Sequence, residues 1–416
     1  MEWQDLIVRP KSVYYRSKYL SRYLRFKNPR LFNAPVMMTY QPADEITLVH
    51  SGADYFDRLI LLLDEARETI HLQTYIFEND ETGQLVVQAL KRAAARGVCV
   101  RVVLDRFGSN QLPPTFVQDL LSAGIEFRFF EHIIAFWKWR FGRTLHHKVT
   151  VVDAYSALLG GINIADKYRG TAETPAYLDF AVQIRGAVCA HLFQMCNSIY
   201  LQQYWKRKYP VIPIQKVNPE THPAGLVRFR QNDWMRGRSE IYQSYRQAVL
   251  GARHSLIIVA SYFLPSYTLQ QRLAKTARRG VEIKILLTGL VDVYLSGLAE
   301  EHLTAWMVGK GIRVFHWNQS VMHGKAILSD RRLAGIGSYN INRLSRIRSM
   351  ELNVDILDPV FTRSFAEYLD ELLHHQCTEI TAETLKPRSR WQKWKAQLAY
   401  YLVYFLMRLL FPQIRG

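Results

Sequence analysis

Two stretches of this chain carry the same side chains at the same spacing. The first runs His146, Lys148, Asp153, Gly160, Gly161, Asn163; the second runs His323, Lys325, Asp330, Gly337, Ser338, Asn340. At average residue frequencies one four-position match of this kind arises on the order of once per hundred thousand starting points. A matched pair is therefore not chance. The residue types suit phosphodiester chemistry. One imidazole attacks phosphorus and forms a phosphohistidine. The other protonates the leaving alkoxide and then deprotonates the incoming alcohol. Lys148, Lys325 and the side-chain amides of Asn163 and Asn340 hold the phosphate oxygens and stabilise the charge that develops on them. Lysine supplies the positive charge, so neither a metal nor any other cofactor is expected.

An imidazole that moves protons needs a partner on its other nitrogen. Asp179 lies in the strand-like run 177–184 after the first motif, and Glu351 lies in the run 350–356 after the second. Position within each half assigns Asp179 to His146 and Glu351 to His323 as orienting acids. Asp153 and Asp330 fall at the end of a strand, past the lysine, and are expected to anchor structure.

These groups must be positioned by strands. The stretches 149–152 and 326–328 read as short buried strands, and residues two apart on a strand face one side. His146 and Lys148 then project together, as do His323 and Lys325. The surrounding chain is a tandem repeat. A helical pattern over 55–68 enters a strand-like run 70–77, and the same happens over 240–253 and 256–263. Further on, Arg96-Gly97-Val98 leads to the apolar run 100–104, and Arg279-Gly280-Val281 leads to 283–287. Glycine there suits a helix C-cap. Strands alternating with helices at this spacing predict an α/β fold. Four prolines between Pro210 and Gly225 mark a linker. The expected units are an N-terminal segment 1–44, a first lobe 45–209, the linker 210–225, a second lobe 226–380 and a tail 381–416.

The chain has 416 residues, with 54 Lys plus Arg against 36 Asp plus Glu, a net charge of +18. A surface so basic implies a polyanionic partner, either anionic lipid or nucleic acid. Three segments combine aromatic and basic residues. They are the residues ahead of the first motif, with Trp137, Trp139 and Arg140; the N-terminal stretch 14–27; and the tail, with Trp391 and Trp394 before the apolar run 398–411. Tryptophan suits the headgroup level of a bilayer and arginine meets anionic lipid. These segments are expected to dock on a membrane surface, the tail as an interfacial helix. No stretch reaches the ~20 apolar residues of a spanning helix, and no secretory leader is read. The four cysteines fit neither a zinc site nor a disulfide framework.

At the duplicated motif the chain resembles the phospholipase D superfamily. Within it, Tyr75-Ile76-Phe77, Tyr262-Phe263-Leu264-Pro265 and Gly161-Ile162-Asn163 make it most similar to the bacterial cardiolipin synthases. The resemblance implies two α/β/α lobes with one active site between them, His146 as nucleophile and His323 as acid and base. It also implies transfer of a phosphatidyl group to phosphatidylglycerol, giving cardiolipin, by a peripheral enzyme on the cytoplasmic face of the bacterial inner membrane. The expected partners are phosphatidylglycerol, cardiolipin and the membrane surface, not nucleic acid. Water as acceptor would make the same machinery a phospholipase or a nuclease, and two intact motifs argue against a non-enzymatic binder. Gln73, Asn342 and Ser349 stand where relatives often have Glu, Asp and Asn. The N-terminal membrane-spanning helices that many such synthases carry are not read here.

Overall fold

The computed structural model describes residues 40–130, 144–202, 225–233, 237–290, 294–385 and 389–410. Up to the linker the strands are β1 (Gln41–Ala43), β2 (Glu45–His50), β3 (Thr69–Thr74), β4 (Cys99–Asp105), β5 (Glu126–Phe130), β6 (Thr144–Leu145), β7 (Val149–Val152), β8 (Ser156–Gly160) and β9 (Phe180–Arg185). After it come β10 (Gly225–Asp233), β11 (Arg238–Ser239), β12 (Ser255–Ala260), β13 (Glu282–Thr288), β14 (Arg313–Trp317), β15 (Lys325–Ser329), β16 (Leu333–Gly337), β17 (Ser349–Leu357) and β18 (Cys377–Ile380).

The first sheet has the order β2-β9-β8-β7-β3-β4-β5. The second repeats that path as β10-β17-β16-β15-β12-β13-β14, with β1 and β18 added at its edges. In each, three parallel strands (β3-β4-β5 and β12-β13-β14) continue into antiparallel ones. The fold is thus two α/β lobes of one topology. The parallel strands are apolar runs because helices cover them. Those helices begin and end where side-chain chemistry dictates. Asp80 caps the helix Glu81–Ala95 through Gly83 N, and Ser266 caps Tyr267–Arg278 through Leu269 N. Gly97 and Gly280 then take φ of 88° and 83°, which a side chain would resist.

The lobes are not separate globules. One hydrophobic cluster runs through both, with Val151, Phe180 and Val182 of the first sheet against Val259, Ile336 and Val354 of the second. Phe180 packs edge-on against Phe365 at 5.2 Å, and His50 lies 4.3 Å from the Tyr368 ring. β1, from the segment expected to stand outside the first lobe, pairs with β10 and so belongs to the second sheet. Of the expected linker, only Gly225 lies among the described residues, where it begins β10. Trp137, Trp139, Arg140 and the N-terminal stretch 14–27 lie outside the described residues.

The tail forms a helix, Arg390–Leu410, packed on the helix Tyr294–Val308. Ala396, Ala399 and Tyr400 are buried in that contact, and the Tyr400 hydroxyl accepts from Gln270 Nε2 at 2.8 Å. Trp391, Trp394, Leu398, Tyr401, Leu402 and Phe405 are exposed. Among the described residues no helix is long and apolar enough to cross a membrane.

Candidate active site between the lobes

The two motifs meet because each is hydrogen-bonded to the other lobe's strand. β6 runs parallel to the start of β17, and His146 N donates to Met350 O at 3.0 Å. The mirror contact is a bridge between Leu178 and Met322, where His323 N donates to Leu178 O at 2.8 Å. Met350 precedes Glu351 and Leu178 precedes Asp179. Each motif histidine is therefore held beside the acid of the opposite lobe.

This corrects the pairing expected from position along the chain. His146 Nδ1 lies 2.8 Å from Glu351 Oε2, and His323 Nδ1 lies 2.7 Å from Asp179 Oδ2. Asp179 orients His323 and Glu351 orients His146, not the reverse. The physical reason is the near-twofold relation of the lobes. A strand after the motif lies two positions away within its own sheet, but its leading end reaches across the interface. Both acids are fully buried, while each imidazole keeps 13% of its side-chain surface exposed. With Nδ1 occupied by the carboxylate, Nε2 is the nitrogen left for chemistry.

The half-sites differ behind the acids. The Ser338 hydroxyl donates to Glu351 Oε2 at 2.5 Å and accepts from Leu352 N at 3.0 Å. Gly161 holds the matching place in the first lobe. A Cβ there would come within 2.2 Å of Asp179 Oδ1, so no side chain fits. Asp179 instead accepts from Phe180 N at 2.8 Å.

Electrostatics follow from six ionisable groups, two histidines, two lysines and two acids, in a water-poor space. Burial lowers both imidazoles from their ordinary 6.5. For His323 the lysines and His146 add to this and take it well below, whereas at His146 the Glu351 charge opposes the fall. Burial likewise brings Lys148 down to about 7 and Lys325 down to about 8. Burial raises Asp179 to about 7, against the pull of Lys325. Each lysine feels the acids of both lobes, so the groups share one field.

The other sequence-derived residues fall as follows. Asp153 and Asp330 sit at hairpin corners with φ of 52° and 53°, a conformation aspartate tolerates. Their carboxylates accept from the backbone N–H groups of Arg67, Glu68 and Thr69, and of Arg253, His254 and Ser255. Both tie their hairpin to the start of β3 or β12 and touch neither histidine. Asn163 was expected to face a phosphate oxygen. Its Oδ1 accepts from Ile76 N at 3.0 Å and its Nδ2 donates to the Tyr168 hydroxyl at 2.8 Å, so the amide joins two loops. A buried amide needs such partners. Asn340 Oδ1 accepts from Ser261 Oγ at 2.9 Å.

Sequence reasoning missed four contributors. The Tyr75 ring lies 4.8 Å from His146 and under the Lys148 ammonium at 5.1 Å. Tyr168 stands edge-on to His323 at 5.3 Å. Asp105 accepts from Leu145 N at 2.7 Å, fixing β6 immediately ahead of His146. Ser338 was noted only as a turn residue. The alignment of the halves carried a signal for it, since a hydroxyl replaces a glycine beside a buried acid.

The family described as cardiolipin synthase, phospholipase D-like domain, matches residues 59–173 and 245–373, one block in each lobe. Cardiolipin synthase B of Escherichia coli K12 is 29% identical over 375 residues, covering 88% of this chain and 89% of that protein. Cardiolipin synthase A of Pseudomonas putida GB-1 is 28% identical over 382 residues, 89% of this chain and 76% of that protein. Among solved structures, phosphatidylserine synthase of Haemophilus influenzae superposes with a TM-score of 0.69 at 16% identity, over 89% of this chain and 95% of that one. At that identity the likeness is one of fold.

Proposed function

The chain belongs to the cardiolipin synthase, phospholipase D-like domain family, and from that we propose that it makes cardiolipin by moving a phosphatidyl group onto phosphatidylglycerol through His146. The enzyme is a phospholipid phosphatidyltransferase. The observation that carries the finer reading is the pair of crossed histidine–carboxylate contacts with two lysines in the same buried space.

His146 Nε2 attacks the donor phosphorus while the bond to the leaving glycerol oxygen breaks. His323 gives that oxygen its proton. The phosphatidyl-imidazolium on His146 is stabilised by Glu351 on Nδ1. A hydroxyl of phosphatidylglycerol then loses its proton to His323 and attacks phosphorus, and the P–N bond breaks. Lys148 and Lys325 hold the non-bridging oxygens, where their charge acts in low dielectric. The proton that His323 gives to the leaving glycerol is returned to it by the acceptor hydroxyl, so the scheme balances. Asp179, raised to about 7, shares a proton with His323 across 2.7 Å at neutral pH, which suits the acid–base half of the pair.

The enzyme works as a peripheral protein, with the outer face of the helix Arg390–Leu410 on the bilayer. Trp391, Trp394, Leu398, Tyr401 and Phe405 recur at helical spacing on the exposed face. Trp391 and Trp394 stack at 5.0 Å, and the Lys395 ammonium lies 5.5 Å from the Trp391 ring. Such a face combines insertion with attraction to anionic lipid. We assign Trp137, Trp139 and Arg140 to the same surface on their composition.

The test is to incubate the purified chain with phosphatidylglycerol vesicles and resolve the products by mass spectrometry. Cardiolipin with free glycerol is expected. Phosphatidic acid as the only product would make the acceptor water and overturn the synthase reading.

A further inference from the structure

Glu351 is fully buried, yet only one of its oxygens is served. Oε2 meets His146 Nδ1 at 2.8 Å and accepts from the Ser338 hydroxyl at 2.5 Å, whereas Oε1 has no hydrogen-bond partner among the described residues. Asp179 differs. Its Oδ2 meets His323 and its Oδ1 accepts from Phe180 N. A buried carboxylate oxygen without a donor is costly.

Three more buried polar atoms stand without partners on the same face of the second sheet. They are Asn232 Nδ2, Asn353 Nδ2 and the Tyr245 hydroxyl, and each of these residues is 2% exposed or less. β10 and β17 run antiparallel with Asn232 directly opposite Glu351. Opposed residues on such a pair put their Cβ atoms ~4.5–5.5 Å apart on one face. Asn353 follows Glu351 by two positions and shares that face. The helix Glu240–Gly251 covers it, since Ile241 N donates to Asn232 Oδ1 at 3.1 Å and Arg230 Nε donates to Ser244 Oγ at 3.0 Å. Tyr245 stands on that helix, where the Asn353 amide and the Glu351 charge both act on its hydroxyl. Backbone N–H groups engage both amide oxygens, Ile241 N at Asn232 and Tyr339 N at Asn353. The NH2 ends are what the two side chains have left to offer.

The first lobe lacks this set. Gly160 pairs with Ala181 as Gly337 pairs with Asn353, so Ala181 is the counterpart of Asn353. Leu59 stands as far before Ala66 as Tyr245 stands before Ala252. One acid is backed by apolar side chains and the other by donors.

We propose that one ordered water sits among these four groups and holds Glu351 Oε1, which makes Asn232, Asn353 and Tyr245 positioning residues for the half-site of His146. The chemistry of the set fits water. Two amide N–H donors fill its two lone pairs, and its two hydrogens go to Glu351 Oε1 and the Tyr245 oxygen. A cation would meet two NH2 groups and an anion would meet a carboxylate, so neither suits the set. With both oxygens held, the carboxylate stays on Nδ1 while the phosphoryl group loads Nε2. The role, though not the water, rests on the phosphatidyl-transfer reading.

The water is tested without turnover, by a crystal structure of the full chain at a resolution that shows ordered solvent. A water within hydrogen-bond distance of Glu351 Oε1 and of at least one of the two amides is expected. An amide bonded directly to Oε1, or no water there, overturns the site. The role is tested on phosphatidylglycerol vesicles. Asn232→Asp keeps the acceptor for Ile241 N and removes the donor, and should lower kcat at least ~10-fold with KM unchanged. Tyr245→Phe removes only the hydroxyl and should cost less. Asn232→Ser restores a donor and should recover part of the loss. Wild-type kcat in every variant that folds, or losses that fall on KM instead, overturns the positioning role. A wild-type protein that holds the water but turns over no phosphatidylglycerol counts against the transferase reading and leaves the water site standing.

Discussion

Behind its acid the first lobe has Gly161, and the second has Ser338. Around that difference two matched half-sites diverge. Glu351 is fixed by donors from both lobes, His146 and Ser338. Asp179 has the bare Gly161 behind it, accepts from Phe180 N, and is raised by burial to about 7. One imidazole is backed by a carboxylate locked in place. The other faces an acid that burial raises to about 7. Each lobe carries one histidine of the pair, and under the proposed mechanism the differences behind them suit His146 to carry the phosphoryl group and His323 to carry the proton.

The largest expected effect separates the histidines. His146→Ala should lower kcat/KM by at least ~10⁴-fold and abolish radiolabel transfer from a ³²P-phosphatidyl donor to the protein. His323→Ala should lose comparable turnover yet still take label from a donor with a nitrophenol leaving group, which needs no proton. Label on His146→Ala and none on His323→Ala would exchange the two roles.

A smaller effect probes the residues behind the acids. Gly161→Ser, which makes the first lobe like the second, forces a Cβ onto Asp179. Overpacking of this kind costs ~1–3 kcal/mol, and urea unfolding should show it together with a ~10²-fold loss of kcat. Ser338→Gly removes one hydrogen bond, worth ~1 kcal/mol, and should cost less than ~10-fold. Equal penalties would mean that the two half-sites tolerate change alike.

The mildest test is a pH profile. Lys148 at about 7 and Lys325 at about 8 lose their charge as pH rises, so kcat/KM should fall through that window. Glu351 helps hold the proton on Lys148, and Asp179 does so on Lys325. Glu351→Gln and Asp179→Asn should each move the alkaline limb to lower pH, and a limb unmoved by either would assign it to other groups. Stability should run the opposite way. The unfolded chain keeps these lysines protonated to about 10.5, so between about 7 and 10 it binds more protons. The contribution of these two groups to stability therefore rises with pH.

The motif histidines, the lysines and the α/β repeat were legible because spacing and periodicity are local properties. Asp179 and Glu351 were found for the same reason, as acids in strand-like runs. Their crossing was not legible, since a linear reading pairs neighbours in sequence, and only the contact of β6 with β17 and of Leu178 with Met322 makes the exchange. Asn163 has a second task that the sequence does not show. Burial between loops, invisible in the sequence, turned its amide towards Ile76 and Tyr168. Tyr168 escaped notice because it reaches His323 across the interface. β1 joined the far sheet for a similar reason, since three residues leave too short a pattern to name a partner.

The crossed stitching has a consequence in time. His146 and Glu351 stand 205 residues apart, and His323 and Asp179 stand 144 apart. As the ribosome extends the chain, the first lobe emerges with an imidazole and an acid that have nothing yet to act with. A nascent or truncated chain ending before His323 has no half-site in working order, however well its first lobe folds. For an enzyme that attacks phospholipids this is a safeguard, because reactivity waits for translation to reach the last strands.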